Sequence, residues 1–124
     1  MRLQESGEMY LETILILSEK LEHVRSLDVA SYMGFSKPSI SRAVSLLKNA
    51  GYLLMDQAGY LTLTESGRAV AEKIYERHKV LSRFLIGIGV NEKTAQDDAC
   101  KMEHYISDTS FAAIKEHLRT HPID

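Results

Sequence analysis

Ser26-Leu27-Asp28-Val29-Ala30-Ser31-Tyr32-Met33-Gly34-Phe35-Ser36-Lys37-Pro38-Ser39-Ile40-Ser41-Arg42 is the segment that decides how the rest of the chain is read. Its first part, entered through Val24 and Arg25, reads as a short helix with Ser26 as the N-cap. Gly34 stands where a helix closes on a left-handed residue, and Phe35 is expected to anchor the turn in the core. Ser36 then offers a second N-cap. Pro38 falls in the first turn of the following helix, where its missing N–H costs little. In that helix Ile40, Val44 and Leu47, with Leu46 beside them, make the buried stripe, while Ser39, Ser41, Arg42, Ser45 and Lys48 fall elsewhere. Asn49-Ala50-Gly51 ends it. Two helices joined by a tight turn, the second with a polar and basic face, have the pattern of a helix-turn-helix.

The flanking segments extend that pattern. Upstream, residues 4–21 carry Met9, Leu11, Ile14, Leu15, Leu17 and Leu21 near the 3.6-residue period, which predicts an amphipathic helix ending around Glu22-His23. Downstream the period changes. Tyr52-Leu53-Leu54-Met55 and Tyr60-Leu61-Thr62-Leu63-Thr64 flank Asp56-Gln57-Ala58-Gly59, a β-hairpin with a glycine-containing turn. Thr64-Glu65-Ser66-Gly67 leads into a long helix through about Ile86, which Gly87-Ile88-Gly89-Val90 breaks. Asn91 caps the next helix, Ser107 or Asp108 caps a last one through Leu118, and Pro122 marks its end. Helix, short helix, turn, helix, hairpin is the order of a winged helix-turn-helix.

Composition agrees with a small globular protein that handles a polyanion. The chain has 124 residues, 44% hydrophobic and 26% charged, with a formal net charge of −2. The charge is uneven: residues 24–64 set Arg25, Lys37, Arg42 and Lys48 against Asp28 and Asp56 alone, so the reading segment is basic within an acidic chain. A single cysteine excludes an intramolecular disulfide. Met1-Arg2-Leu3-Gln4-Glu5 lacks the apolar run of a signal peptide. Leu11 to Leu17 is too short to cross a bilayer. A cytoplasmic location and no membrane partner are expected.

A second constellation lies near the other end, in Asp97-Asp98-Ala99-Cys100-Lys101-Met102-Glu103-His104. On a helix, residues i, i+3 and i+4 share a face with Cβ atoms about 5–6 Å apart, so Cys100, Glu103 and His104 converge on one small cation. They supply a soft, a hard and a borderline donor, and Met9 adds a thioether from the first helix. Binding requires the thiolate and the neutral imidazole, so occupancy falls in acid.

Met9-Tyr10-Leu11-Glu12-Thr13-Ile14, Ser36-Lys37-Pro38-Ser39-Ile40-Ser41, Tyr60-Leu61-Thr62-Leu63-Thr64 and Cys100-Lys101-Met102-Glu103-His104, in this order, resemble the diphtheria toxin repressor family. This family of metal-dependent bacterial repressors includes the iron-dependent regulators and the manganese transport regulator. The resemblance implies a mainly α chain with a small β-hairpin wing. A winged helix-turn-helix DNA-binding domain would occupy residues 1–70, and a helical metal-binding and dimerisation domain residues 71–124. It implies a homodimer on a palindromic operator in double-stranded DNA when Fe(II) or Mn(II) is bound, repressing metal uptake. The chain resembles the short members without an SH3-like domain. Met9 and Cys100 resemble the iron-type primary site, whereas Glu12 and His78 resemble ligands of the manganese type's paired site, which would join Glu103. Ser82 and Gln96 stand where the iron type keeps a Glu and a His, so that ancillary site is expected to be absent.

Soft donors favour Fe(II) as the cofactor, with Mn(II) the alternative. A metal tying the first helix to residues 100–104 would set the spacing of two recognition helices in a dimer. Ser36, Lys37, Pro38, Ser39, Ser41 and Arg42 are the expected DNA contacts: Ser and Lys to phosphates, Pro38 to a thymine methyl, Arg42 to guanine. Ala95, Ala99, Met102, Ile106, Phe111 and Ile114 are candidates for the dimer face, with the monomer's own core as the other use for them. Two other functions use the same residues: a redox-sensing winged-helix regulator switched by Cys100, and a di-metal hydrolase built on Glu12, His78, Glu103 and His104. The helix-turn-helix argues for regulation rather than an enzyme.

Overall fold

The computed structural model describes residues 5–121; Gln4 at the expected helix start and Pro122 lie outside them. In chain order the elements are α1 (Glu5–Lys20), β1 (Val24–Arg25), α2 (Ser26–Met33), α3 (Lys37–Asn49), β2 (Leu53–Met55), β3 (Tyr60–Leu63), α4 (Glu65–Gly87), α5 (Glu92–Met102) and α6 (Asp108–Thr120). The chain divides within α4 into two compact units, the first ending at Glu72 and the second beginning at Lys73. No helix among the described residues is long and apolar enough to cross a membrane.

The first unit is the winged helix-turn-helix. Its core takes Leu11, Ile14, Leu15 and Leu17 from α1, Val29 and Ala30 from α2, Ile40, Val44 and Leu47 from α3, and Val24, Leu53 and Leu61 from the strands. Gly34 closes α2 at φ 71° and donates its N–H to the Ala30 carbonyl, a left-handed cap that glycine adopts without a Cβ penalty. Ser36 caps α3 as expected, its hydroxyl accepting the Ser39 N–H, with Pro38 in the first turn.

Three local expectations are corrected. Ser26 is the first residue of α2 rather than its cap; Arg25 holds the cap position, and its N–H donates to the Asp28 carboxylate at 2.8 Å. Phe35 is 45% exposed and meets Tyr10 edge-on, with ring centroids 6.1 Å apart, instead of anchoring the core. Leu46 is 69% exposed, one residue short of the stripe that Leu47 occupies. The sheet is also larger than a hairpin. It has three antiparallel strands in the order β1-β3-β2, with Val24 opposite Leu61, Arg25 opposite Tyr60, and Leu54 opposite Thr62. A two-residue strand carries no alternation to reveal it in the sequence.

Thr64 joins the wing to α4: its hydroxyl donates to the Gly51 carbonyl and accepts the Gly67 N–H. Gly67 admits no side chain, because an added Cβ would lie 2.1 Å from the Tyr52 carbonyl oxygen.

The second unit is helical. Ile74 and Leu81 from α4, Ala95 and Ala99 from α5, and Phe111 and Leu118 from α6 are buried. Asn91 and Ser107 cap α5 and α6 through their side chains, settling the choice between Ser107 and Asp108. Of the dimer-face candidates, Ala95, Ala99 and Phe111 are already buried in this single chain. Met102, Ile106 and Ile114 are half-buried.

Candidate metal centre and nucleic-acid interface

Helix α5 ends at Met102, and Glu103 forms its C-cap in right-handed conformation with its N–H on the Ala99 carbonyl. His104 follows in the turn. The helical continuation through Glu103 keeps it in phase with Cys100, as its spacing requires, but His104 is placed by the turn and not by a helix face.

Glu103 is completely buried. Its Oε2 lies 2.9 Å from His78 Nδ1, and its Oε1 lies 3.4 Å from His104 Nε2. The His104 side chain is 1% exposed and that of His78 26%. Glu103 Oε1 receives no hydrogen bond among the described residues. A buried carboxylate is costly unless paired or metal-bound. Two donors held at about 2.1 Å by one cation stand about 3.0–3.4 Å apart in octahedral or tetrahedral geometry, which matches the spacing of Glu103 Oε1 and His104 Nε2. A carboxylate with an imidazole at each oxygen offers donors that suit divalent first-row metals, His78 at Oε2 and His104 at Oε1. The residues present therefore fit such an ion.

Cys100 is half-buried on α5 and forms no disulfide. In the first unit, Met9 is half-buried on α1 and Glu12, three residues on, is 8% exposed, so a carboxylate sits within the apolar stripe of that helix. Gln96 and Ser82, read against the ancillary site, are exposed and buried respectively.

Sequence reasoning missed Arg77. This guanidinium is 6% exposed and gathers the turn that follows α5. Its Nη1 donates to the carbonyls of Glu103 at 3.2 Å and Ile106 at 2.7 Å, and its Nη2 pairs with Asp108. The guanidinium carbon stands 5.4 Å from the Phe111 ring centroid. Lys73, 3.3 Å from Asp108, and then Arg77 hold the Asp108 carboxyl below the usual carboxylate range. The signal was present: Arg77 lies three residues after Ile74 and four before Leu81, on the buried side of α4.

On the first unit, Lys37, Pro38, Ser41 and Arg42 are exposed on α3, Ser36 is exposed at its cap, and Ser39 is half-buried. Arg42 Nη2 donates to Ser39 Oγ at 3.4 Å, and Ser36 Oγ donates to the same oxygen at 3.0 Å. This pre-orients the arginine along the helix face. Ser41, Arg42, Ser45 and Leu46 line an open groove there, giving the face a cation, hydroxyls and one apolar contact. Beside the wing, His23 stacks on Tyr60 with centroids 4.2 Å apart. Arg25 lies over the same tyrosine at 4.7 Å and donates to its hydroxyl at 3.2 Å.

Two family models and a set of relatives match this chain. Residues 2–63 match the model for the iron dependent repressor N-terminal DNA binding domain, and residues 64–122 match that for the iron dependent repressor metal binding and dimerisation domain. A helix-turn-helix transcriptional regulator of Methanocaldococcus jannaschii is 32% identical over 115 residues, covering 91% of this chain and 92% of that protein. The transcriptional regulator MntR of Escherichia coli O6:H1 is 30% identical over 112 residues, covering 90% of this chain and 72% of the relative. Among solved structures, a manganese-dependent transcriptional repressor in complex with manganese superposes with a TM-score of 0.84 at 30% identity, covering 91% of this chain and 52% of that one. The manganese regulator SloR gives 0.81 at 27% identity, covering 91% and 53%. The chain thus spans about half the length of these two solved chains. With the reading helix, the wing and the buried donor set each inside the matching domain, the chain belongs to the iron-dependent repressor family, that of the diphtheria toxin repressor.

Proposed function

We propose that this protein is a metal-dependent transcriptional repressor of metal-ion homeostasis, acting in the cytoplasm as a homodimer on a palindromic operator in double-stranded DNA. The observation that carries the reading is the fully buried Glu103 carboxylate between His78 and His104. These three residues, with Cys100 beside them in sequence and Met9 and Glu12 on α1, are the proposed ligands. A divalent ion, when bound, supplies the positive charge that offsets the buried carboxylates. Fe(II) is favoured by Met9 and Cys100, whose sulfur donors are soft, and Mn(II) by Glu12 and His78. The relatives named for manganese keep Mn(II) as the alternative effector.

The chain's own residues do the rest. Donors drawn from α1 and from residues 100–104 make the placement of the DNA-binding unit depend on site occupancy, by no more than the difference in affinity between the two placements. In a dimer that placement sets the half-site spacing that α3 meets. Ser36, Lys37, Ser39 and Ser41 bind phosphates, Pro38 packs on a thymine methyl, and Arg42 reads guanine. No step of this reading requires turnover of a substrate.

The test is fluorescence anisotropy on a duplex selected from a random-sequence library, with Fe(II) under anaerobic conditions, Mn(II), Zn(II) or a chelator, and metal content measured alongside. Tight binding with metal and loss of binding with chelator are expected. Equal affinity in metal and chelator overturns the reading.

A further inference from the structure

The buried Arg77 is not a proposed ligand, yet it holds two carbonyls of the connection that carries Glu103 and His104. Glu103 and His104 lie between the end of α5 at Met102 and the start of α6 at Asp108. That short connection has no regular ladder to fix it. Its main-chain bonds include Glu103 N–H to Ala99, and Tyr105 and Ile106 N–H to Met102. These hold the turn's amides and leave the carbonyls of Glu103 and Ile106 to be satisfied elsewhere. Arg77 satisfies both from one guanidinium nitrogen and secures Asp108 with another. It sits next to His78 on α4, so one helix segment supplies both a proposed donor and the brace for two more.

We propose that Arg77 is a positioning residue for the metal site: by fastening the carbonyls of Glu103 and Ile106 and the first-turn carboxylate of α6, it sets the Glu103 carboxylate between His78 and His104. The inference rests on the proposed metal site and names what organises it. A guanidinium suits this task because its planar fork delivers several fixed donors and never loses its charge. Burial strengthens the bond to the Glu103 carbonyl, where little water competes. A shift in the turn displaces Glu103 Oε2 from His78 on α4 directly, because the braced backbone and the donor belong to the same residue. Lys115, paired with the Glu76 carboxylate at 3.1 Å, is a cation of the same unit that holds a carboxylate away from the turn, and it serves as the control.

The experiment titrates the full chain with Co(II), whose visible absorption reports ligand geometry, and separately with Mn(II) by calorimetry. Arg77→Lys keeps the charge but not the fork. Asp108→Asn loosens the guanidinium from its exposed end, where the aspartate side chain is 80% exposed, so folding tolerates the change. Loss of outer-shell partners costs about 10–100-fold in metal affinity; Arg77→Lys is expected to fall in that range with an altered Co(II) spectrum. Asp108→Asn is expected to lose several-fold, and Lys115→Ala nothing. Unchanged Co(II) affinity and spectrum in both Arg77→Lys and Asp108→Asn overturn the inference. Should Arg77→Lys fail to fold, Asp108→Asn decides alone, and unchanged affinity there overturns it. A parent protein that takes up neither ion overturns the metal reading itself, a separate outcome.

Discussion

Replacing Glu103 by glutamine separates what its buried carboxylate costs from what it does. The side chain has no exposure, and its compensation comes from two imidazoles, one at hydrogen-bond distance and one at 3.4 Å without hydrogen-bond geometry. Glutamine keeps the volume, so no cavity opens, and its amide still reaches His78. Replacing a buried ion pair whole by apolar residues of similar volume is often neutral or stabilising by about 1–4 kcal/mol; an amide in place of one carboxylate removes that group's own desolvation cost. The lower part applies here, because the His78 side chain is 26% exposed and shares the charge with water. In chelator, Glu103→Gln is therefore expected to be more stable by about 1–2 kcal/mol, with a midpoint about 4–8 °C higher. With metal the order reverses. A ligand at a hundredfold excess over its Kd stabilises the parent by about 2.7 kcal/mol, and the variant, lacking the anionic donor, gains much less. Thermal unfolding by circular dichroism, in chelator and in Mn(II), measures both. A variant less stable than the parent in chelator shows the carboxylate to be fully satisfied without metal, and equal gains from Mn(II) show that Glu103 is not a ligand. Either result refutes the argument.

Other perturbations test the remaining geometry. Gly67→Ala drives a methyl into the Tyr52 carbonyl and is expected to cost about 1–3 kcal/mol or more in chemical denaturation; a neutral result would mean α4 enters at another angle. Arg42→Ala should weaken operator binding by about 1–3 kcal/mol and relax discrimination at one base pair, read by titrating base-substituted duplexes. Arg25→Gln, at the His23–Tyr60 stack, should weaken all duplexes alike and lower the salt slope by about one; an unchanged slope would place that stack away from DNA. Asp108 is held below the usual carboxylate range by Lys73 and Arg77. Its contribution is present above the ordinary carboxylate range and is lost as pH falls through the depressed value. Asp108→Asn should accordingly flatten the acid limb of the stability profile.

Most of the first unit was readable because its signals are local. Ser36, Pro38 and Gly34 each need a specific backbone conformation, and all three stand where the helix boundaries fall. Ile40, Val44 and Leu47 mark the buried face of α3 by period alone. What escaped reading depends on partners distant in sequence. Val24 and Arg25 form a strand only because Leu61 and Tyr60 lie opposite. Leu46 and Phe35 are apolar residues whose exposure depends on what surrounds them, which composition does not encode. At the metal site, the spacing of Cys100, Glu103 and His104 was visible, but Arg77 lies 26 residues from the Glu103 carbonyl it holds. A cation on a buried helix face was the sole hint.

Strand β2 has consequences for handling the protein without its nucleic acid. It is a sheet edge three residues long, and Leu54 and Met55 on it are 59% and 43% exposed. An uncovered rim with two greasy side chains offers a template to another molecule of the same kind. Its brevity caps the number of main-chain links such a pairing can form, so self-adhesion should be weak and concentration-dependent. A lysine at position 54 would discourage it while leaving the interior untouched.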